Sequence, residues 1–255
     1  MKLPLSVSVI SYNEERIIEK MLESVFPIAD EIIILDSYSK DNTKEIAKKY
    51  GAKIFEKQWT DFVTQKNHAL NLCSNDWVLC LDCDEILTEK LIEDIKRAIT
   101  ENKFNGFYLK RKTVYLGKLL NYAWQPDLNL RLVNKAGNPR WIGQDVHESL
   151  IIDGEVGILN GDLLHYSYSD IKHHFEKTIT LSKLSANAYY KKGKRFSTLN
   201  LFLNPIIAFI RLYFINKGIL DGKIGFIAAV SSFVGTFLKY AFLLEIELNQ
   251  KELRT

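Results

Sequence analysis

The sequence predicts an α/β fold: a mostly parallel central sheet followed by a C-terminal helical extension that attaches to a membrane surface. Three observations carry this reading. Over the first hundred residues, short apolar runs alternate with stretches of helical period, the pattern of stacked βαβ units. Three of those runs end in polar clusters, and open parallel sheets bind ligands at the carboxyl ends of their strands. Beyond Lys172 the chain reads as helix, and residues 199–248 become unusually apolar. At 255 residues, 47% apolar and 25% charged, the balance is globular, which excludes disorder, collagen-like repeats and a minimal disulfide scaffold.

The strands are expected at Leu5 to Ile10, Glu31 to Leu35, Lys53 to Phe55 and Trp77 to Leu81. Between them, Ile17, Ile18, Met21, Leu22 and Val25, then Ile46, Ala47 and Tyr50, then Phe62, Ala69 and Leu70 fall at helical spacing. Thr88 is the expected N-cap of a further helix that buries Leu91, Ile92, Ile95, Ala98 and Ile99. From Phe107 to about Tyr168 the alternation stops, and glycine-punctuated β-prone pieces predict mixed sheet and loops. A sheet domain is therefore expected over residues 1–195 and a helical segment over 196–255.

Charge divides the chain further. Residues 1–170 carry 21 Lys/Arg against 26 Asp/Glu, and residues 171–255 carry 13 against 5, an acidic body with a basic tail. The longest uncharged run of the tail, Ile224 to Leu238, has 15 residues, short of the roughly 20 that span a bilayer. The tail is instead expected to lie in a membrane interface, with Phe202, Ile206, Ile207, Phe209 and Ile210 in lipid and Arg211, Lys217, Lys223 and Lys239 near anionic headgroups. A helical subdomain packed on the body is the alternative. Nucleic acid is not the expected partner, because the cations are interspersed with lipid-like sequence. Three cysteines, Cys73, Cys80 and Cys83, and a start without a long apolar segment predict a reducing, cytoplasmic setting.

The polar clusters follow the first strand at Ser11, Tyr12, Asn13 and Glu14, the second at Asp36 to Asp41, and the fourth at Asp82, Cys83, Asp84 and Glu85. A period of two would point Asp82 and Asp84 the same way, as a cradle for a hard divalent cation with a phosphate. An EF-hand loop starting at Asp82 fails, because Leu87 stands where the turn needs glycine. Cys80 and Cys83 lack the second Cys/His pair of a zinc site. A phosphatase with Asp82 as nucleophile and Asp84 as acid stays open, although such a motif usually lies on the first strand of its fold. So does a noncatalytic carbohydrate- or lipid-binding adaptor.

Taken together, Ser11-Tyr12-Asn13-Glu14, Asp36-Ser37-Tyr38-Ser39-Lys40-Asp41-Asn42-Thr43, Gln65-Lys66-Asn67-His68-Ala69 and Leu81-Asp82-Cys83-Asp84-Glu85 resemble the inverting glycosyltransferases of family 2, with the GT-A fold. Trp141-Ile142-Gly143 with Val146-His147-Glu148, Leu164 to Tyr168, and Gly218 to Phe226 are similar to the lipopolysaccharide core β-glucosyltransferase subgroup. The resemblance implies a UDP-hexose donor, most simply UDP-glucose, a divalent metal (Mg²⁺ or Mn²⁺), and an anionic lipid-linked oligosaccharide acceptor at the cytoplasmic face of the inner membrane. It implies that Tyr12, Asn13 and Glu14 line the nucleoside pocket and that Asp36 meets the uracil, with Ser37 and Ser39 nearby. Lys66 would approach the nucleotide, Asp82 the ribose or metal, and Asp84 the metal, with His165 as a third ligand.

Displacing a nucleoside diphosphate from an anomeric carbon also needs a base for the attacking hydroxyl. Glu148 is the first choice and Asp145 the second; the frequent Glu-Asp base motif of the family is absent. Arg111, Trp124 and Arg131 are candidate acceptor contacts, through guanidinium pairing and aromatic stacking.

Overall fold

Leu3–Ser11 forms β1, whose central residues are buried on both faces, as a strand between helix layers requires. The computed structural model describes residues 2–143 and 148–252. Strands β2 (Ala29–Asp36), β3 (Lys53–Glu56) and β4 (Trp77–Leu81) extend the sheet in parallel, in the order β3-β2-β1-β4. Helices α1 (Ile18–Val25), α2 (Thr43–Lys49) and α3 (Phe62–Leu72) are the crossovers between them. The register pairs Ser11 with Asp36 and Val9 with Leu81, so the carboxyl ends of β1, β2 and β4 share one sheet edge.

Past β4 the sheet turns antiparallel. A short β5 (Glu85–Leu87) leads to α4 (Glu89–Glu101), which the Thr88 hydroxyl caps by accepting from the Leu91 N–H at 3.3 Å. Then follow β6 (Gly106–Tyr115), β7 (Lys118–Leu119), β8 (Leu128–Asn134), β9 (Arg140–Ile142), β10 (Ser149–Ile151) and β11 (Val156–His165). The full sheet order is β3-β2-β1-β4-β8-β6-β11-β5, with β7 beside β6, and β9 and β10 make a separate ribbon. Helix α4 closes on β11 at Gly161, where a Cβ would come within 2.4 Å of the Leu91 backbone.

The chain forms two compact units. One holds residues up to 112 and 127–165; the other holds 113–126 and the residues from 166 on. This differs from the boundary expected after residue 195. Helix α5 (Ile171–Lys191) packs against α7 (Gly222–Glu252), with the Ser182 hydroxyl donating to the Gly235 carbonyl at 2.9 Å. The 113–126 excursion joins the same unit because the buried Asp221 carboxylate accepts the backbone N–H groups of Asn121, Tyr122 and Ala123 at 2.8–3.0 Å.

Between these helices runs α6 (Thr198–Ile210), continued by a wide turn at Arg211–Ile215. By length and composition, residues 198–215 and 218–250 are each long and apolar enough to cross a membrane, although the longest uncharged run has 15 residues. That criterion stops at every lysine, whereas an isolated lysine can bury its stem and keep its charge at the boundary. Leu199, Phe202, Ile207, Phe214, Ile215 and Leu220 are all more than half exposed in the absence of lipid.

Candidate active site

At the ends of β1 and β2, Asp36 is fully buried, and its carboxylate accepts from the Ser11 hydroxyl at 2.7 Å and from the Ser39 N–H and hydroxyl at 2.6 Å each. Ser39 in turn accepts from the Asn13 N–H at 2.8 Å, and the Asn13 side chain accepts from the Lys40 N–H at 2.8 Å. The Ser37 N–H donates to the Ser11 carbonyl and the Glu14 N–H to the Thr43 hydroxyl. Asp36 therefore ties two strand-end loops together at the edge where the base contact is expected of it. Asn13 and Tyr38 take left-handed conformations (φ 54° and 63°), and the rings of Tyr12 and Tyr38 stand exposed at the same edge. The aromatic surface at this edge thus includes Tyr38, which the sequence reading left out.

Beside β4 lies a cavity of about 340 Å³ whose lining includes Lys66, Asp82, Arg111, Arg131, Trp141 and Glu148. Lys66 comes from α3, and the neighbouring Asn67 fixes β9 by a reciprocal pair of hydrogen bonds with the Trp141 backbone at 2.8 and 2.9 Å. The Trp141 ring thereby sits 4.5 Å from the Lys66 ammonium. Lys66 binds Asp82 at 2.9 Å and Glu148 at 3.0 Å. Arg131, from β8, binds the other Asp82 oxygen at 2.8 Å and the fully buried Glu85 at 2.6 Å. Glu85 also accepts from Arg111 at 3.2 Å and from the Asp82 N–H at 3.0 Å, and Arg111 reaches Asp127 at 2.7 Å.

These contacts fix the charges. Burial alone would raise the Asp82 pKa, but Arg131 and then Lys66 outweigh it and hold the carboxyl far below the usual range. Burial would likewise discharge Lys66 and Arg131; Asp82 keeps the lysine protonated against the charge of Arg131, and Glu85 with Asp82 holds the guanidinium. The neutralising partner expected of a metal at Asp82 is thus supplied by two cations of the chain itself. Arg131 is 4% exposed and faces the cavity from its wall; its Nε has no hydrogen-bond partner among the described residues.

Pairing of β11 with β5 sets His165 opposite Glu85 and brings its Nε2 within 3.3 Å of the Asp84 carboxylate. The three-ligand set expected from Asp82, Asp84 and His165 is not gathered: no group of three metal-ligating side chains occurs among the described residues. One carboxylate and one imidazole fit a hard divalent ion whose other ligands are diphosphate oxygens and water. Of the remaining expected residues, Asp145 lies outside the described residues, as does His147. Trp124 belongs to the other unit, where it packs with Tyr115, Tyr168 and His174. Glu85 and Trp141 were missed as members of the site; Glu85 stood inside a quoted motif, but its partners lie 26 and 46 positions away.

The family model for glycosyl transferase family 2 matches residues 6–147. The chain belongs to this family. An uncharacterized glycosyltransferase of Rickettsia typhi is 33% identical over 97% of this chain and 89% of its own length. The lipopolysaccharide core biosynthesis glycosyltransferase LpsC of Rhizobium meliloti is 32% identical over 98% of this chain and 93% of its own. Among solved structures, the mannosyltransferase PcManGT of Pyrobaculum calidifontis, in complex with GDP-Man and Mn²⁺, has a TM-score of 0.52 at 12% identity, covering 97% of this chain and 87% of that one. TarS 1–349 of S. aureus with UDP-GlcNAc has a TM-score of 0.50 at 14% identity, covering 98% and 92%. The fold is that of the GT-A glycosyltransferases, and the family 2 match makes the chain a glycosyltransferase.

Proposed function

We propose that this family 2 glycosyltransferase moves glucose from UDP-glucose, with inversion, onto a hydroxyl of an anionic lipid-linked envelope glycan such as the lipopolysaccharide inner core. The observation that carries the reading is Glu148 on the cavity wall, with its carboxylate oriented by Lys66 at 3.0 Å and Arg131 on the same wall. Glu148 takes the proton of the acceptor hydroxyl as its oxygen bonds to the anomeric carbon from the face opposite the diphosphate. The bond from that carbon to the diphosphate breaks, and the nucleotide leaves with the electron pair. Lys66 and Arg131 face the negative charge that then grows on the leaving group. Asp84 and His165 would hold a divalent cation, Mg²⁺ or Mn²⁺, which supplies Lewis-acid stabilisation of the same charge. Tyr12 and Tyr38 offer faces to the base, and Asn13, Ser37 and Ser39 shape the loops beside it.

The relationship to LpsC supports an envelope glycan as acceptor, and the exposed apolar surface of α6 with Arg211, Lys217 and Lys223 supports attachment at the cytoplasmic face of the inner membrane. The test is nucleoside diphosphate release from UDP-, GDP- and ADP-sugars with and without Mg²⁺ or Mn²⁺, in the presence of core oligosaccharide. Metal-stimulated release from UDP-glucose, lost in Glu148→Gln, is expected. Selective use of a GDP- or ADP-sugar would overturn the donor, and full activity of Glu148→Gln would overturn the base.

A further inference from the structure

A second cavity, of about 300 Å³, lies wholly within the unit of residues 113–126 and 166 onward, at the lower end of the roughly 300–1,000 Å³ typical of ligand pockets. Trp124 and Tyr168 stand on its wall with ring centroids 6.0 Å apart at 56°, an angled aromatic face. Ser185 of α5 and Ser232 and Thr236 of α7 also line it, and their hydroxyls make no side-chain hydrogen bond among the described residues. His174 is 1% exposed; its Nδ1 is engaged by the Tyr115 hydroxyl at 2.8 Å, and its Nε2 has no partner among the described residues. Among the described residues Lys239 is the one cation of the lining, its ammonium 4.5 Å from the Tyr189 ring and 4.8 Å from the Tyr240 ring, and no carboxylate lines it.

A groove lined by aliphatic side chains alone would offer a ligand no hydrogen bonds. An aromatic face, uncommitted hydroxyls, a neutral imidazole and one lysine are instead the complement of a sugar ring bearing a negative group. We propose that this cavity is a second saccharide site, lined by side chains of this unit alone, that takes a hexose carrying a phosphate or a carboxylate. The ring lies against Trp124 and Tyr168, its hydroxyls meet Ser185, Ser232, Thr236 and His174, and its anionic group meets Lys239. Such a ligand has two sources, a free sugar phosphate or the phosphorylated headgroup of a glycolipid.

The experiment is saturation-transfer NMR and tryptophan fluorescence titration of the full chain with glucose 6-phosphate, galacturonate, glucose and inorganic phosphate. Either anionic sugar is expected to bind at least about tenfold more tightly than glucose or phosphate alone. Ser232→Phe, which fills the cavity, should abolish that binding, and Lys239→Gln should reduce it to the level of glucose. UDP-sugar turnover measured in both variants should be unchanged, so failure here stands apart from failure of the donor assignment. Competition by vesicles containing lipid A, and not by vesicles lacking it, would assign the glycolipid; retained binding without competition would assign the free sugar phosphate. Binding no tighter than that of phosphate alone, or binding unaltered by Ser232→Phe, overturns the proposal.

Discussion

Glu85→Gln tests whether one buried carboxylate organises the transfer site. Glu85 has no exposed surface and accepts from two guanidinium groups, Arg131 at 2.6 Å and Arg111 at 3.2 Å, while its other oxygen receives the Asp82 N–H at 3.0 Å. Breaking a buried ion pair by removing one partner costs about 3–5 kcal/mol, because the remaining charge stays desolvated. Here each arginine keeps a second carboxylate, Asp82 for Arg131 and Asp127 for Arg111, and glutamine preserves the shape and one acceptor. The expected loss therefore falls at the low end, about 3 kcal/mol, which is roughly 6–12 °C in Tm for a domain of about 150–250 residues. Thermal unfolding of Glu85→Gln and Arg131→Met, alone and combined, isolates the pair, with an expected coupling of at least about 2 kcal/mol. A Tm within about 2 °C of the parent chain, or coupling near zero, would refute the view of Glu85 as the anchor of both arginines.

Four further outcomes follow from the geometry. Glu148→Gln should lower kcat by about 10²–10⁴-fold with UDP-sugar binding intact, as read by turnover and calorimetry. Glu31 loses something to burial, but Lys53, Ser6 and Ser74 bring its pKa down to about 2 from an ordinary 4.5. Its contribution is thus fully present above the ordinary carboxylate range and lost as pH falls towards 2; Glu31→Gln should remove on the order of 3 kcal/mol of acid-sensitive stability, visible in denaturant melts from pH 6 to 2. Burial, helped by His173 and Lys177, lowers the His174 pKa to about 4 from 6.5, so the unfolded chain takes up this proton first. Stability should decline between those values, and proton NMR should show the His174 imidazole neutral at pH 6. Replacing Phe202 and Ile206 with Asp should release the protein from anionic vesicles, whereas 1 M NaCl should not, because the exposed apolar side chains from Leu199 to Leu220 together outweigh the roughly 1 kcal/mol per cation near the surface.

The parallel half of the sheet was legible because its information is local. Each strand is a short apolar run, each crossover helix has its own period, and Thr88 is a cap on the spot where the helix begins. The antiparallel half was not, since β4 pairs with β8 some fifty residues on and β5 pairs with β11 across more than seventy. The same distance hid the partners of the site residues. Motif spacing brought out Lys66, Asp82 and Asp84, but only the pairing of β4 with β8 and the placement of Glu148 show that Asp82 answers to Arg131 and that Lys66 answers to two carboxylates. Trp124 was likewise not placed by its spacing: it lies in an aromatic cluster with Tyr115, Tyr168 and His174, built from segments some fifty residues apart.

Charge counting then bears on the metal. Lys66, Arg111 and Arg131 face Asp82, Glu85, Asp127 and Glu148, three cations against four carboxylates, and Asp84 adds a fifth acid beside His165. A nucleotide diphosphate entering such a site brings more negative charge to a place already net negative, and low-dielectric surroundings magnify that cost. On the proposed reading that cost falls if the carboxylates give up Lys66 and Arg131 to the phosphates or if a divalent ion arrives with the donor. On the same reading that ion would be received by Asp84 and His165, whose side chains lie 3.3 Å apart. Asp84→Asn should consequently weaken UDP-sugar binding mainly in the presence of Mg²⁺ or Mn²⁺, while Lys66→Met should weaken it with or without metal. Equal loss for both variants under both conditions would mean that the two charge systems act as one.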